Sequence, residues 1–116
     1  MIIQITGRHV EITDAIRGYV DDHLMPTLND YPSVEHAHVI LDVEKFRHLA
    51  EIVVQGKNHL RVEARAETDD MYKSIDSALE KIDRQLRRAR DKMVDHKASD
   101  HRERLADREI EPEKIG

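Results

Sequence analysis

Apolar and polar residues alternate along three consecutive segments in the middle of the chain. The apolar positions are odd-numbered in residues 34–44 and even-numbered in residues 48–55 and 59–67. Alternation with a period of two is typical of a β-strand that buries one of its sides. The three segments therefore predict three neighbouring strands, each with one side facing a core.

Short connections between these segments predict two hairpins. A two-residue turn at 45–46 places Val39 opposite Ile52. A three-residue loop at 56–58 places Ile52 opposite Val62. In both pairings apolar side chains meet apolar side chains, so one face of an antiparallel sheet is buried. A slip of one residue in either hairpin would turn those side chains to the opposite face.

Two helices and a fourth strand complete the pattern. Residues 2–6 alternate weakly and predict a short strand, and a helix follows from Thr13, whose side-chain oxygen can cap the first free amides. Pro26 interrupts the apolar spacing of this helix, so we expect a kink there or an end near Met25. The longest stripe of apolar residues at helical spacing predicts a second helix over about 70–95.

The order β-α-β-β-β-α predicts an α+β fold, a two-layer sandwich of two helices on a four-stranded sheet. Because a helix joins the first two strands, we expect these strands to be parallel. Residues 98–116 are highly charged and carry no apolar stripe, which is typical of a disordered tail. The predicted organisation is one domain over 1–97 followed by a tail over 98–116.

Charge is distributed unevenly along the chain. The 116 residues carry 19 Lys and Arg against 24 Asp and Glu, a net charge of −5. Residues 1–70 hold 7 basic and 13 acidic side chains, residues 71–97 hold 8 and 5, and residues 98–116 hold 4 and 6. The second helix is thus the basic element of an acidic chain, and a local basic patch can bind an anionic partner despite the net sign.

Cations and acids of the second helix are sorted onto opposite flanks of its apolar stripe. On a wheel of about 100° per residue, one flank holds Lys81, Arg84, Arg88 and Lys92. The other holds Asp76, Glu80, Asp83 and Asp91, with Arg87 and Arg90 interleaved among these acids. A solvated helix with ion pairs such as Glu80–Arg84 would also be highly charged, but its signs would be mixed. Sorted cations favour a surface that faces phosphates, whose binding weakens with salt.

Few aromatic residues are available to stack on bases. Of the four, Tyr19 and Tyr72 fall on or beside apolar stripes, and only Phe46, at the predicted hairpin tip, is expected to be free. A protein that stacks successive bases of a single strand needs more such residues. Recognition of the backbone and shape of folded RNA is the better match.

The sequence contains little that indicates a metal site or a catalytic site. The predicted register brings His36, His38 and His59 together on the exposed sheet face, but the chain has no cysteine and no carboxylate there that completes a four-ligand zinc site. Phosphate loops and nucleophile motifs are missing, and Asp69-Asp70 is explained by its place at a helix start. We therefore expect no metal, no cofactor, no small-molecule substrate and no enzymatic activity.

Several short motifs resemble, in order and without large gaps, the ribosome hibernation promoting factor family, which includes the ribosome-associated translation inhibitor and was formerly called sigma-54 modulation protein. They are GRHVEITDAIR at 7–17, AHVIL at 37–41, VEK at 43–45, DMY at 70–72, ID at 75–76 and KIDRQL at 81–86. The resemblance covers about residues 1–97 and is to the short branch of the family, since no separate dimerisation domain follows.

The resemblance implies a bacterial, cytoplasmic protein with both helices on one sheet face, similar to double-stranded RNA-binding domains. It implies binding to rRNA and neighbouring proteins of the small ribosomal subunit, in the channel of mRNA and the A- and P-site tRNAs. There the protein would block translation in stationary phase or stress, with ribosomes held inactive in pairs or as monomers. The basic positions of the family fall on Lys81, Arg84, Arg88, Arg90 and Lys92, and its hairpin lysine on Lys45.

Arg47 extends the predicted hairpin patch, and Arg87 adds to the predicted helix patch. The core motifs favour the branch that promotes ribosome pairing, but the tail over 98–116 leaves prevention of pairing open. A general structured-RNA-binding module is a second interpretation, which competition by bulk duplex RNA would reveal. A protein-interaction module acting on transcription machinery is a third, and its binding would depend little on salt.

Overall fold

A computed structural model describes residues 1–98 of the chain, with side chains described as far as Lys92. Its elements are β1 (Ile2–Arg8), α1 (Asp14–Asn29), β2 (Val34–Glu44), β3 (Arg47–Gly56), β4 (Arg61–Thr68) and α2 (Met71–Ala98). This is the predicted order. One compact unit runs from Met1 to Gln85 and a second begins at Leu86. Apart from Ala98, the last residue of α2, the predicted tail lies outside the described residues.

The four strands form one mixed sheet in the order β1-β2-β3-β4. β1 runs parallel to β2, as the helical connection predicted, and the other neighbours are antiparallel. The first hairpin has the predicted register, with Val39 opposite Ile52 and a two-residue turn after Glu44. Neither helix in the described part of the chain is both long and apolar enough to span a membrane.

The register predicted for the second hairpin is wrong by two residues. Ile52 pairs with Ala64 rather than with Val62, so the loop centres on Asn58 rather than on Lys57. Asn58 and the residue after it have left-handed φ angles of 60° and 64°. Asparagine tolerates this conformation better than most residues, which favours the later loop position. Because the shift is even, the apolar sides of the strands still share one face.

Helix α1 begins where the sequence predicted, and it ends at Asn29, beyond the end near Met25 that was one of the two expectations. The Thr13 hydroxyl accepts a hydrogen bond of 3.1 Å from the amide three residues ahead. The helix continues through Pro26 for three more residues, so an end near Met25 is wrong. Proline removes a single amide donor, whereas Leu24 and Leu28 on either side are both buried and hold this turn against the core.

The core of the first unit lies between one face of the sheet and the two helices. Its largest contributors are Val39, Leu41, Ile52 and Val54 from the sheet, Val20, Leu24 and Leu28 from α1, and Ile75 and Ile82 from α2. Full burial of each such side chain stabilises the fold by about 1.5–3 kcal/mol. The intervening residues of β2 stay partly exposed, so the sheet has one open face and the two-layer prediction is confirmed.

Candidate nucleic-acid interface

Two acids of α2 accept hydrogen bonds from tyrosines of the first unit. The Tyr19 hydroxyl donates to Oδ1 of Asp76 at 2.6 Å, and the Tyr31 hydroxyl donates to Oδ1 of Asp83 at 3.1 Å. The hydrogen bond to Asp76 raises the pKa of Tyr19 to about 12, with smaller effects of burial and the carboxylate charge. Asp76 and Asp83 are therefore turned toward α1 and the residues that follow it, where these tyrosines lie.

The opposite flank of α2 includes two cations that no described residue pairs. Arg84 is exposed and Arg88 is half-buried, and neither forms a hydrogen bond or ion pair with any described residue. The Glu80–Arg84 pair, which a merely solvated helix would favour, is not formed. These two guanidinium groups keep their donors available for an external anion.

Lys81 and Gln85 bind the outer edge of the sheet. Lys81 Nζ donates to the Arg65 carbonyl at 2.9 Å, and Gln85 Nε2 donates to the Glu63 carbonyl at 2.8 Å. Both carbonyls belong to β4, which is an edge strand of the sheet in the described part of the chain. Lys81, predicted from its charge as an RNA ligand, thus also fastens α2 to the sheet.

The hairpin between β2 and β3 presents one free cation and one paired cation. Lys45 is exposed, has a left-handed φ of 58° and contacts no charged partner in the described chain. The Arg47 guanidinium lies 3.0 Å from Oε1 of Glu44 and 3.3 Å from Oε2 of Glu67. Arg47 therefore contributes less free positive charge than its sequence position suggested.

The remaining predicted cations lie on the part of α2 that belongs to the second unit. Arg87, Arg90 and Lys92 are all exposed. Arg90 Nε lies 3.9 Å from Oδ1 of Asp91, a separation at which an exposed pair contributes little.

The predicted histidine group does not assemble. Arg61, not His59, is the residue of β4 that reaches Gln55. His36 and His38 remain on the open sheet face, and each is hydrogen-bonded to a side chain of β1. No group of three or more potential metal ligands occurs among the residues described.

An aromatic cluster was missed by the sequence reasoning, which assigned Tyr19 to the core. Its ring is half-exposed, stacks on His23 at 4.0 Å between centroids, and meets Tyr72 edge-on at 4.8 Å. The spacing of four residues between Tyr19 and His23 signals a contact on one helix. No pattern within α1 alone could have indicated Tyr72, because that contact joins two helices.

These features define a small α+β domain with unpaired cations on its second helix and its first hairpin. Residues 3–94 match the family described as Sigma 54 modulation protein / S30EA ribosomal protein. The chain belongs to that family, which confirms the resemblance seen in the sequence. The family is not enzymatic, so the prediction of no catalytic activity is also confirmed.

Curated relatives and solved structures agree with this assignment. The ribosome hibernation promoting factor of Salmonella typhimurium is 35% identical over 96 residues, which are 83% of this chain and 100% of the relative. That of Pseudomonas putida is 36% identical over 92 residues, 79% of this chain and 89% of the relative.

Among solved structures, a ribosomal subunit interface protein from Coxiella burnetii matches with a TM-score of 0.73 and 29% identity, covering 78% of this chain and 98% of its own. The N-terminal domain of Thermus thermophilus Protein Y matches with a TM-score of 0.69 and 36% identity, covering 76% and 98%.

Proposed function

We propose that this protein is a ribosome hibernation factor. It binds rRNA of the small ribosomal subunit in the channel of mRNA and the A- and P-site tRNAs, and it blocks translation by occupying that channel. It acts in the cytoplasm in stationary phase or stress and promotes inactive, paired ribosomes. Occupancy alone inhibits, so no cofactor is needed. Membership of the family and the names of the relatives support this proposal.

The observation that carries the proposal is that acids on one flank of α2 have hydrogen-bond partners, whereas two arginines on the other flank have none among the described residues. Asp76 and Asp83 on one flank accept hydrogen bonds from tyrosines, whereas Arg84 and Arg88 on the other have no partner among the described residues. Charges that only solvated the helix would pair with one another. Cations left unpaired beside satisfied acids suit a partner that carries phosphates.

The test is co-sedimentation with purified small subunits and with whole ribosomes at low and high salt. Arg84→Glu combined with Arg88→Glu replaces two phosphate contacts by repulsion. We expect binding at least about tenfold weaker and a salt dependence reduced by about 0.7–0.9 per lost contact in log–log slope. Both residues lie off the apolar stripe, so the thermal unfolding midpoint should stay near that of the unmodified protein.

Arg17→Glu combined with Lys57→Glu is the matched control, because it makes the same change in net charge at two exposed cations outside the proposed interface. It should bind nearly as the unmodified protein does. Equal losses in both double variants would show that only net charge matters, and would contradict the assigned surface.

The same gradients separate the finer possibilities. A shift toward paired ribosomes supports promotion of pairing, and binding without pairing supports a factor that holds inactive monomers. Full competition by bulk duplex RNA would instead indicate a general structured-RNA-binding module. Failure to bind ribosomes at low salt would overturn the proposal.

A further inference from the structure

Both residues at the tip of the first hairpin are unusual for their positions, one in its backbone conformation and the other in its exposure. Lys45 has a φ of 58°, a conformation in which turns usually place glycine, asparagine or aspartate. Phe46 leaves 86% of its surface exposed, more than any other large apolar residue described. Strained backbone and broken local rules of this kind cluster at sites where a protein contacts a ligand or partner.

The support beneath this tip is held in place. Glu44 and Arg47, the last and first residues of the paired strands, are joined by an ion pair of 3.0 Å, and Arg47 also reaches Glu67 on β4 at 3.3 Å. The connection between the strands has only two residues. The Phe46 ring therefore extends from a short, braced turn, and less conformational freedom is lost when a partner binds.

Charge alone does not explain attraction at this tip. The positive charges of Lys45 and Arg47 are balanced by the negative charges of Glu44 and Glu67, and Arg47 contacts both acids. Lys45 is left as the cation with no partner in the described chain. Most of the contact energy at the hairpin would then have to come from the apolar ring.

A nucleobase fits this arrangement better than a protein surface does. One aromatic ring buries about 150–250 Å², whereas a specific protein interface buries at least about 1,000 Å². A base offers a flat π-face of matching size, and stacking on it does not depend on base identity. The neighbouring ammonium of Lys45 suits the phosphate of the same nucleotide.

We propose that Phe46 stacks on an unpaired RNA base while Lys45 pairs with the adjoining phosphate. This deepens the proposed function and rests on it for the source of the base, the rRNA of the small subunit. The hairpin then contributes stacking to the complex, while α2 contributes phosphate contacts.

Phe46→Trp provides a direct test, because the chain contains no tryptophan. Its single indole should be quenched, and protected from acrylamide, when the variant binds small subunits or an RNA hairpin with an unpaired loop. Met25→Trp is the matched control, since Met25 is an exposed apolar residue of α1 outside the proposed contact. Its fluorescence should change little.

Affinity provides the second test. Phe46→Leu keeps an apolar side chain but removes the π-face, so binding to small subunits should weaken by about five- to a hundredfold. The salt dependence should be unchanged, because no phosphate contact is lost. Lys45→Ala should instead reduce the slope of log affinity against log salt by about 0.7–0.9.

The outcomes distinguish this inference from the proposed function. Ribosome binding by the unmodified protein, with an unquenched Phe46→Trp variant and an unaffected Phe46→Leu variant, would overturn the stacking role alone. Quenching by the RNA hairpin without ribosome binding would support stacking and overturn the ribosomal assignment. Binding to neither would overturn both.

Discussion

Individual side chains determine which charges of α2 remain available. Tyr19 donates a hydrogen bond of 2.6 Å to Asp76, and this contact joins α1 to α2. Phenolate formation would break that bond and place two negative charges side by side, which is why the pKa of Tyr19 is raised to about 12. The neutral Tyr19 hydroxyl thus satisfies an oxygen of Asp76 without the use of a cation.

Tyr19→Phe should remove this hydrogen bond while keeping the ring contacts. We expect a loss of about 0.5–1.5 kcal/mol in the free energy of unfolding at neutral pH, measured with urea. The folded pKa of about 12 exceeds the ordinary value of 10.0, so the stabilisation is fully present below pH 10 and is lost as the pH rises toward 12. The difference in free energy of unfolding between Tyr19→Phe and the unmodified protein should therefore disappear between pH 10 and pH 12.

Tyr72→Phe is the control for this prediction, because the Tyr72 ring contacts Tyr19 but its hydroxyl forms no hydrogen bond with the described residues. Its unfolding free energy at neutral pH should match that of the unmodified protein. A gap for Tyr19→Phe that is the same at pH 7 and near pH 12 would contradict the assigned role of the phenol.

Side chains of α2 hold this helix against strand β4, and a neighbouring side chain of the same helix is left for a partner. Lys81 and Gln85 bind two carbonyls of β4, which leaves these two acceptors less available to a strand of another chain. Arg84, between them in sequence, has no partner among the described residues. Adjacent positions of α2 therefore serve the fold and the proposed interface respectively.

Gln85→Ala and Arg84→Ala should separate these two tasks. Gln85→Ala is expected to lower the free energy of unfolding by about 0.5–1.5 kcal/mol, because the Glu63 carbonyl loses its donor, and to leave affinity for small subunits unchanged. Arg84→Ala should lower affinity and leave stability nearly unchanged. Urea unfolding and co-sedimentation of both variants measure these effects. Loss of affinity in Gln85→Ala together with loss of stability in Arg84→Ala would contradict the two assigned roles.

At the scale of the whole molecule, a net charge of −5 coexists with a proposed anionic partner. All of the acidic excess lies in residues 1–70 and 98–116. The family match ends at residue 94, and the Salmonella relative aligns over its full length within 96 residues of this chain. The proposed interface therefore falls within the part of the chain that the family shares.

Removal of residues 99–116 should consequently leave binding to small subunits intact. Those residues carry a small excess of acids, so affinity at low salt should be equal or slightly higher without them. Co-sedimentation of the shortened and complete chains measures this. Weaker binding after removal would place part of the interface in that segment, and a change in ribosome pairing alone would assign it a role in pairing.

Periodicity determined the element order and the buried face of each strand, and the count of charges by segment identified α2 as basic. It could not determine the register of the second hairpin, because a shift of two residues preserves the alternation that places Ile52 in the core. The passage of α1 through Pro26 likewise depended on burial of Leu24 and Leu28, which outweighs the loss of one amide donor.

The sequence by itself also selected the cations of the candidate site, but only the tertiary structure decided which of them are unpaired. The spacing of residues along a helix or strand indicates the face of that element on which each residue lies. Its partner is set by what packs opposite, and that residue comes from another element. Lys81 donates to a carbonyl of β4, Arg47 pairs with two glutamates, and Arg84 forms no hydrogen bond or ion pair with the described residues.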